Sequence, residues 1–523
     1  MDRTQSESVL KVGGEASRLN EGKSLNIAKD EIESGKHSPL AQPTVHQDNS
    51  HLAFMVIVCC LVVAAVASVY IKVEDISESS FQRCLRETKL FNDGLILSQK
   101  YSDSDQRYRD PIFLPLKTSQ PLRRYHPDPG VTTVAIVLHG VFRGVTKSFC
   151  QTDRAFQGFT SVDHSILTIV PWFSRSSVYS GDWFTGHANN IRHGYSTAFN
   201  TSDWATGSDD VSLGEDARTS SFDAVDDIVS FLKKNSGQHG LYPNLKAIYL
   251  LGFSAGAQFL GRWAFFSDQA LLSKDAVPVT VVLGDAGSYM YLSPERPARL
   301  SCSMPYDTGP KHACGHFPIP HPDKDMSSRP STENCPDYDN YRYGLTGLSE
   351  QLPGYKYLEP FAKRDKLEQA IDDFAQKDVR FVLGLEDVCN CGTFEYENPD
   401  ACLEHSCRDY ESTTNTTQPI LLNRFATMES DDEDFFQVER QCCDSYPGAD
   451  LNFLSKNCES NLQGYNRLQR GLNYINYLRD FYKKRSGITL TYKVELFDGA
   501  HDPMAFLSSS AINKWLSTGL SSS

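Results

Sequence analysis

The chain of 523 residues has fewer basic residues than acidic ones. It contains 51 lysines and arginines against 66 aspartates and glutamates, a formal net charge of −15. Binding to nucleic acid requires clustered positive charge, so this balance argues against that class of protein. The chain also has no internal repeat, which argues against repeat architectures, and its length allows one large domain with extensions.

The N-terminal region lacks what a folded core requires. Residues 1–51 contain no Phe, Tyr or Trp and are polar throughout, so we predict a disordered tail there. Residues 52–71 contain no charged side chain, and at about 1.5 Å per residue they span roughly 30 Å, the thickness of a bilayer core. A cleavable signal peptide would have a shorter apolar core nearer the start. We therefore predict a single transmembrane anchor at 52–72, followed by a linker and the start of the main domain over 73–130.

Two features give opposite predictions for the orientation of the anchor. Its N-terminal flank has only Lys36, whereas its C-terminal flank has Lys72, Arg83, Arg86 and Lys89, which would place the main domain in the cytosol. Twelve of the 14 cysteines lie outside the anchor, however, and ten of these fall in loops after residue 300, a density typical of an oxidising compartment. A long translocated domain overrides a weak charge bias. We predict that the main domain is lumenal or extracellular, with candidate glycan acceptors at Asn200 and Asn415.

The cysteines lack the spacing of a zinc site. His312, Cys314 and His316 are separated by single residues, as are Cys389 and Cys391. Zinc ligands usually come in pairs two to four residues apart, recurring at a second place. We therefore predict disulfide bonds and no metal.

A serine between two glycines, Gly252-Phe253-Ser254-Ala255-Gly256, is the most informative motif. An apolar run precedes it and a helical pattern follows it, as in the nucleophile elbow of hydrolases. The strained turn exposes the serine hydroxyl and leaves no room for a side chain at either glycine. We predict that Ser254 is a catalytic nucleophile.

A nucleophilic serine needs a base and an acid, which follow it along the chain in enzymes with this elbow. His501 lies in a glycine-containing turn after a late strand-like run, and we predict it as the base. Asp387 follows the strand-like run 379–385 and is the favoured acid. Asp285, just after the run 279–283, is the next alternative, followed by Glu386 and Asp498.

Two backbone N–H groups must stabilise the oxyanion. We predict those of Ala255, after the nucleophile, and Val141, in the turn after the strand-like run 134–138. Gly140 allows the backbone to approach the substrate closely. We interpret His139 as a structural histidine that bonds to loop carbonyls.

Over residues 131–515 the chain resembles the α/β-hydrolases, through the turn at 139–140, the elbow, Asp387 and His501. It is also similar to an esterase-like group in two shorter motifs, Tyr242-Pro243-Asn244-Leu245 and Ser220-Ser221-Phe222-Asp223. Phe253 and Ala257 stand where such elbows often have His and Gly, and neither change removes a catalytic group. The resemblance implies the fold and a serine hydrolase mechanism and says little about substrate.

The periodicity of the chain supports the same fold. Strand-like runs at 134–138, 165–170, 247–251, 279–284, 379–385 and 490–496 alternate with helical patterns, including 221–234 and 465–484. This predicts a mostly parallel sheet covered by helices on both faces. The resemblance implies that this sheet belongs to an α/β-hydrolase catalytic domain over 131–520. Insertions at 302–345 and 388–460 leave the sheet at its C-terminal edge, and we expect them to form a disulfide-linked cap over Ser254.

The predicted function is that of a membrane-anchored serine hydrolase acting on an ester or related acyl bond, without a cofactor. Its substrate would be a small-molecule or lipid-like acyl compound. A non-catalytic ectodomain of the same fold, used for binding, is one alternative. A serine peptidase is another, less favoured because the interval 72–131 is too short for a large extra N-terminal domain.

Overall fold

The computed structural model of this chain describes residues 80–87, 91–98, 112–123, 125–157, 165–175, 195–199, 203–212, 219–271, 276–297, 316–318, 329–330, 332–333, 335–348, 352–385, 387, 437–439, 457–464 and 466–521. The predicted tail and anchor, both glycan acceptors and most of the two predicted insertions lie outside these residues. Within the described part of the chain, no helix is long and apolar enough to cross a membrane.

A nine-stranded sheet organises the described chain, with the path β1-β2-β4-β3-β6-β7-β9-β11 and with β5 alongside β2. The strands β4, β3, β6, β7, β9 and β11 run parallel, whereas β2 is antiparallel to both β1 and β4. A separate antiparallel pair joins β8 and β10. The strands are β1 (Asp93–Ile96), β2 (Ile112–Thr118), β3 (Val131–Leu138), β4 (Ser165–Pro171), β5 (Tyr195–Ser196), β6 (Ala247–Phe253), β7 (Val279–Gly284), β8 (His316–Pro318), β9 (Asp378–Gly384), β10 (Gln437–Glu439) and β11 (Lys493–Phe497).

Nine α-helices and three short 3₁₀ turns are found in the described residues. The helices are α1 (Ser80–Glu87), α2 (Val145–Phe156), α3 (Ser221–Lys234), α4 (Ala255–Phe266), α5 (Arg364–Phe374), α6 (Cys458–Asn461), α7 (Arg467–Ser486), α8 (Pro503–Leu507) and α9 (Ser510–Ser521). The 3₁₀ turns are Asp203–Thr206, Asp268–Ala270 and Lys356–Ala362.

Helices cover both faces of the sheet. Alternate side chains of β3 point to opposite faces: Val134 and Ile136 join the core that includes α3, α4, α5 and α7, and Ala135 and Val137 join the core that includes α2, α8 and α9. Because both faces are buried, the central strands β3, β6 and β7 are largely apolar along their length. The strand order, the antiparallel strand β2 near one edge and the helices on both faces confirm the predicted α/β-hydrolase fold.

Local sequence signals place the six parallel strands and the helices α3, α4 and α7 correctly. The predicted helix 221–234 has the observed bounds, and Ser220 caps it by accepting a hydrogen bond from the backbone N–H of Asp223, while the Asp223 carboxylate accepts from the backbone N–H of Ser220. The last strand begins at Lys493, three residues later than predicted. The strands β1 and β2 were not predicted, and Pro115 within β2 removes a backbone donor, a feature that weakens any strand signal.

Two disulfide bonds confirm the prediction of oxidised cysteines. Cys84 of α1 is bonded to Cys150 of α2, and Cys335 is bonded to Cys458 of α6. The second bond joins the predicted insertion 302–345 to the end of the predicted insertion 388–460. The sequence alone did not predict either pairing.

Candidate active site

The turn between β6 and α4 holds Ser254 in a strained conformation. Its φ of 57° and ψ of −118° lie outside the regions that a residue with a side chain normally occupies. Such a conformation costs on the order of 1–3 kcal/mol and persists only where the surroundings impose it. The backbone N–H of Ser254 donates to the carbonyl of Gly284 at the end of β7, at 2.9 Å, and this bond ties the turn to the neighbouring strand.

Both glycines of the motif are required by close backbone packing. A Cβ atom at Gly252 would lie 2.4 Å from the carbonyl oxygen of Gly256, and one at Gly256 would lie 2.6 Å from the carbonyl oxygen of Leu138. These distances confirm the prediction that the turn leaves no room for side chains there. They also show that the start of α4 packs directly on the end of β3, where the predicted oxyanion turn begins.

His501 follows β11 and contacts Asp387, which follows β9. The Nδ1 atom of His501 lies 2.7 Å from Oδ2 of Asp387, whose carboxylate is fully buried while the imidazole keeps 21% of its surface exposed. An ionised carboxylate is an acceptor, so Nδ1 carries the hydrogen and Nε2 is free to accept a proton. The imidazole also stacks on the ring of Phe253, the residue before Ser254.

The electrostatic surroundings keep the imidazole neutral. Burial lowers the pKa of His501, the nearby Arg467 guanidinium lowers it further, and Asp387 opposes both effects. A neutral imidazole at pH 7 is the form that a general base requires.

The other predicted acids lie in different places. Asp285 is fully buried, and one carboxylate oxygen each of Asp285 and Asp387 and one ring nitrogen of His501 lie within 4.8 Å of one another. Asp498 is exposed to solvent, and Glu386 lies outside the described residues. Of the described candidates, the structure therefore brings Asp387, and not Asp285 or Asp498, into hydrogen-bond contact with His501.

Arg467 is a site residue that the sequence did not reveal. It is the first residue of α7, and its Nη1 atom lies 3.4 Å from Oδ1 of Asp387, with both side chains buried. The sequence analysis predicts a helix over 465–484 and no site residue on it, because an arginine at the start of a helix does not indicate a buried ion pair with a residue 80 positions away.

The turn after β3 is fixed by side-chain contacts to the backbone. Nδ1–H of His139 donates to the carbonyl of Gly140, and Nε2 accepts from the backbone N–H of Phe173. Burial lowers the pKa of His139 to about 4, so the imidazole is neutral in both contacts. Arg143, at φ 57°, donates through Nη1 to the carbonyls of Phe173 and Phe199. His139 thus bonds to the loop backbone, as its interpretation as a structural residue requires.

The predicted oxyanion donors, Ala255 and Val141, lie near the place where the start of α4 packs on the end of β3. Ala255 is the first residue of α4, where backbone N–H groups have no partner within the helix and favour negative charge. Val141 lies in the turn after β3 and is 39% exposed, and a Cβ atom at Gly140 would meet no atom within 4 Å. Open space thus lies beside the backbone of Gly140.

An apolar cleft opens next to these residues. It has a volume of about 130 Å³, lies between α2 and α8, and is lined in part by Gly140, Phe142, Leu251, Phe253 and Phe506. Phe142 at the rim is 71% exposed. The cleft contacts Gly140 and Phe253, but Ser254 and His501 are not among its lining residues.

Among the described residues, two groups of side chains lie close enough together to bind a metal ion. One contains Cys335 and Cys458, which are bonded to each other. The other is Asp285, Asp387 and His501, where the positive charge of Arg467 beside Asp387 opposes a cation.

No protein-family model matches the chain, and no curated protein matches it significantly. It is similar to the solved structure of LpqC, a poly(3-hydroxybutyrate) depolymerase from Bordetella parapertussis, at 14% identity over 80% of this chain and 88% of that chain, with a TM-score of 0.37. Poly(aspartic acid) hydrolase-1 from Sphingomonas sp. KT-1 has 15% identity over 77% and 92%, also with a TM-score of 0.37. The siderophore hydrolase EstA from Aspergillus nidulans has 9% identity over 82% and 94%, with a TM-score of 0.28. Similarities this low carry no inference about substrate.

Proposed function

We propose that this chain is a membrane-anchored serine hydrolase that cleaves an ester or related acyl bond. The observation that carries the proposal is the 2.7 Å contact between His501 and Asp387, formed by an imidazole that stacks on the residue preceding a strained serine. A serine at a strand-to-helix turn, a neutral imidazole and a buried carboxylate are the three parts of a nucleophilic triad.

In the proposed reaction the Oγ of Ser254 attacks the acyl carbon, and Nε2 of His501 takes the hydroxyl proton. Asp387 holds the imidazole through Nδ1–H and stabilises the imidazolium that forms. The backbone N–H groups of Ala255 and Val141 donate to the oxyanion of the tetrahedral intermediate. His501 then gives its proton to the leaving oxygen as the bond to the acyl carbon breaks. Water hydrolyses the acyl-enzyme by the same steps and restores the Ser254 hydroxyl.

The proposed membrane anchor and compartment are supported by features outside the candidate active site. The uncharged stretch 52–71 supports a membrane anchor, and the two disulfide bonds support an oxidising, lumenal or extracellular compartment.

The test of the proposed function is labelling by a fluorophosphonate probe together with hydrolysis of p-nitrophenyl esters. We expect the full-length chain in detergent to be labelled and Ser254→Ala to lose both labelling and hydrolysis. Ser517→Ala, which removes a hydroxyl that bonds to Lys514 on α9, is the matched control and keeps both. Unchanged labelling of Ser254→Ala would refute the assignment of the nucleophile. A folded chain inert to probes and to a broad set of esters would favour the binding ectodomain, and cleavage of peptides in preference to esters would favour the peptidase.

The proposed cap has its own test. The bond between Cys335 and Cys458 joins the two predicted insertions, so Cys335→Ser with Cys458→Ser should change the ratio of activity on a bulky ester to activity on a small one. The pair Cys84→Ser and Cys150→Ser, on α1 and α2, is the control and should leave that ratio unchanged. If both pairs leave the ratio unchanged in folded protein, the insertions do not cap the site.

A further inference from the structure

Two buried carboxylates lie behind the imidazole, and a triad uses only one. Asp285 directly follows β7, and Asp387 comes three residues after β9. These strands are parallel neighbours, with Gly284 paired to Val382, so their C-terminal ends meet at one edge of the sheet. The carboxylates of Asp285 and Asp387 therefore both lie at the C-terminal edge of the sheet.

The backbone of Gly384 holds both acids. Its N–H donates to Oδ1 of Asp285 at 2.9 Å, and its carbonyl accepts from the N–H of Asp387 at 3.2 Å. A Cβ atom at Gly384 would lie 2.9 Å from Oδ2 of Asp285, so only glycine allows this approach. Asp285 itself has a φ of 41°, a conformation that a residue with a side chain rarely adopts. Its carboxyl is thus held in place by surrounding backbone.

Two buried arginines of α7 lie near the two acids. Arg467 pairs with Asp387 at 3.4 Å, whereas Arg470, which also interacts with Asp387, donates to the carbonyls of Gly464 and Gly287. Tyr289 and Asp502 are the other titratable groups near the cluster. Two buried carboxylates this close disfavour ionisation of each other, and among the described contacts only Asp387 forms an ion pair with a guanidinium. Burial, together with the neighbouring Asp387, raises the pKa of Asp285 well above its usual range. Asp285 is therefore the acid that keeps its proton.

We propose that Asp285 is a second acid for His501. In the resting protein it donates its proton in a hydrogen bond to Asp387 and so acts as a positioning residue. When the charge of Asp387 is removed, Asp285 ionises and supplies the carboxylate behind the imidazole, within 4.8 Å of it. The expected effect of Asp285 on activity rests on the proposed hydrolase function, whereas its expected effect on the protonation of His501 does not.

The experiment compares Asp387→Asn with the double variant Asp285→Asn and Asp387→Asn in the full-length chain. We expect the double variant to have a kcat/KM at least tenfold below that of Asp387→Asn. We also expect its acid limb in the pH–rate profile to lie at lower pH, because neither buried carboxylate then opposes the charge of Arg467 on His501 and only Asp502 remains. For Asp285 alone, Leu should cost more activity than Asn, since only Asn retains a hydrogen-bond donor toward Asp387. Circular dichroism and melting temperature exclude variants that fail to fold.

A second readout does not depend on turnover. In protein labelled with ¹⁵N-histidine, with the His501 signals assigned from His501→Gln, we expect Nδ1 to stay protonated in Asp387→Asn and to lose that preference in the double variant. Equal ring signals and equal kcat/KM in the two variants would overturn the role of Asp285. If the unsubstituted chain hydrolyses no ester, the proposed function is wrong, and the ring signals alone decide the role of Asp285.

Discussion

Phe253 and His501 form a stacked pair, with ring centroids 4.6 Å apart and planes inclined by 29°. Phe253 is held by β6 directly before the elbow, and His501 comes from a loop after β11, so the pair ties the proposed base to the residue next to the proposed nucleophile.

Replacing Phe253 by Leu should loosen the imidazole. An aromatic pair is worth about 0.5–1.5 kcal/mol beyond its buried area, so we expect kcat to fall roughly three- to tenfold with little change in KM. Steady-state kinetics on a p-nitrophenyl ester measure this. Phe265→Leu on α4 is the control, because Phe265 is also buried but packs against Phe266 and Phe374 and not against His501. An equal loss of kcat in both variants would mean that packing, and not the stacked pair, is responsible.

Arg467→Met should move the acid limb of the pH–rate profile to higher pH. The guanidinium lowers the pKa of His501, so its removal raises that pKa, and the imidazole becomes protonated and inactive at a higher pH than before. Loss of one partner from a buried ion pair should also cost about 3–5 kcal/mol of stability. The pH dependence of kcat/KM and urea unfolding measure the two effects.

The control for this variant is Arg485→Met on the same helix. Arg485 pairs with Glu368 and Asp372 near the surface, so its loss should cost at most about 1 kcal/mol and leave the pH profile in place. An unmoved acid limb in Arg467→Met would show that the charge of Arg467 does not act on the imidazole.

Gly256→Ala should damage both stability and activity. The added Cβ would lie 2.6 Å from the carbonyl oxygen of Leu138, and relieving that contact moves the start of α4 away from the end of β3. We expect a loss of about 1–3 kcal/mol and a large fall in kcat, since the N–H of Ala255 moves as well. Gly261→Ala in the same helix meets only the Leu283 side chain at 3.5 Å and should be neutral or stabilising by up to about 1 kcal/mol. Thermal unfolding and ester hydrolysis of the pair provide the measurement, and equal behaviour of the two variants would contradict the predicted close contact.

Acid should destabilise the protein partly through His139. Its pKa of about 4 in the folded state lies below the unfolded value of 6.5, so between these values only the unfolded chain binds the proton. Stability from this group is full above pH 6.5 and falls as the pH drops toward 4, by about 3 kcal/mol in total.

The measurement is the melting temperature of the chain and of His139→Asn across pH 4–7. Asp209, whose pKa burial raises to about 6, acts in the opposite direction in the same range, so the difference between the two proteins isolates His139. Parallel curves would show that His139 titrates alike in the folded and unfolded chain.

Local sequence was sufficient for the features that depend on neighbouring residues. The elbow glycines, the cap at Ser220 and the alternation of apolar strands with helices are all set by backbone sterics, hydrogen bonding and the periodicity of buried side chains, which act over a few residues. From these, the fold and the region of the site could be predicted.

Tertiary structure decided the features that depend on residues far apart in the chain. Asp285 and Asp387 both follow strands, and only the packing of the loops brings Asp387 against an imidazole 114 residues away and leaves Asp285 behind it. The approach of Arg467 to Asp387 and the pairing of Cys84 with Cys150 and of Cys335 with Cys458 are of the same kind. Local propensities do not encode such distances, because they arise from how whole strands and helices pack against one another.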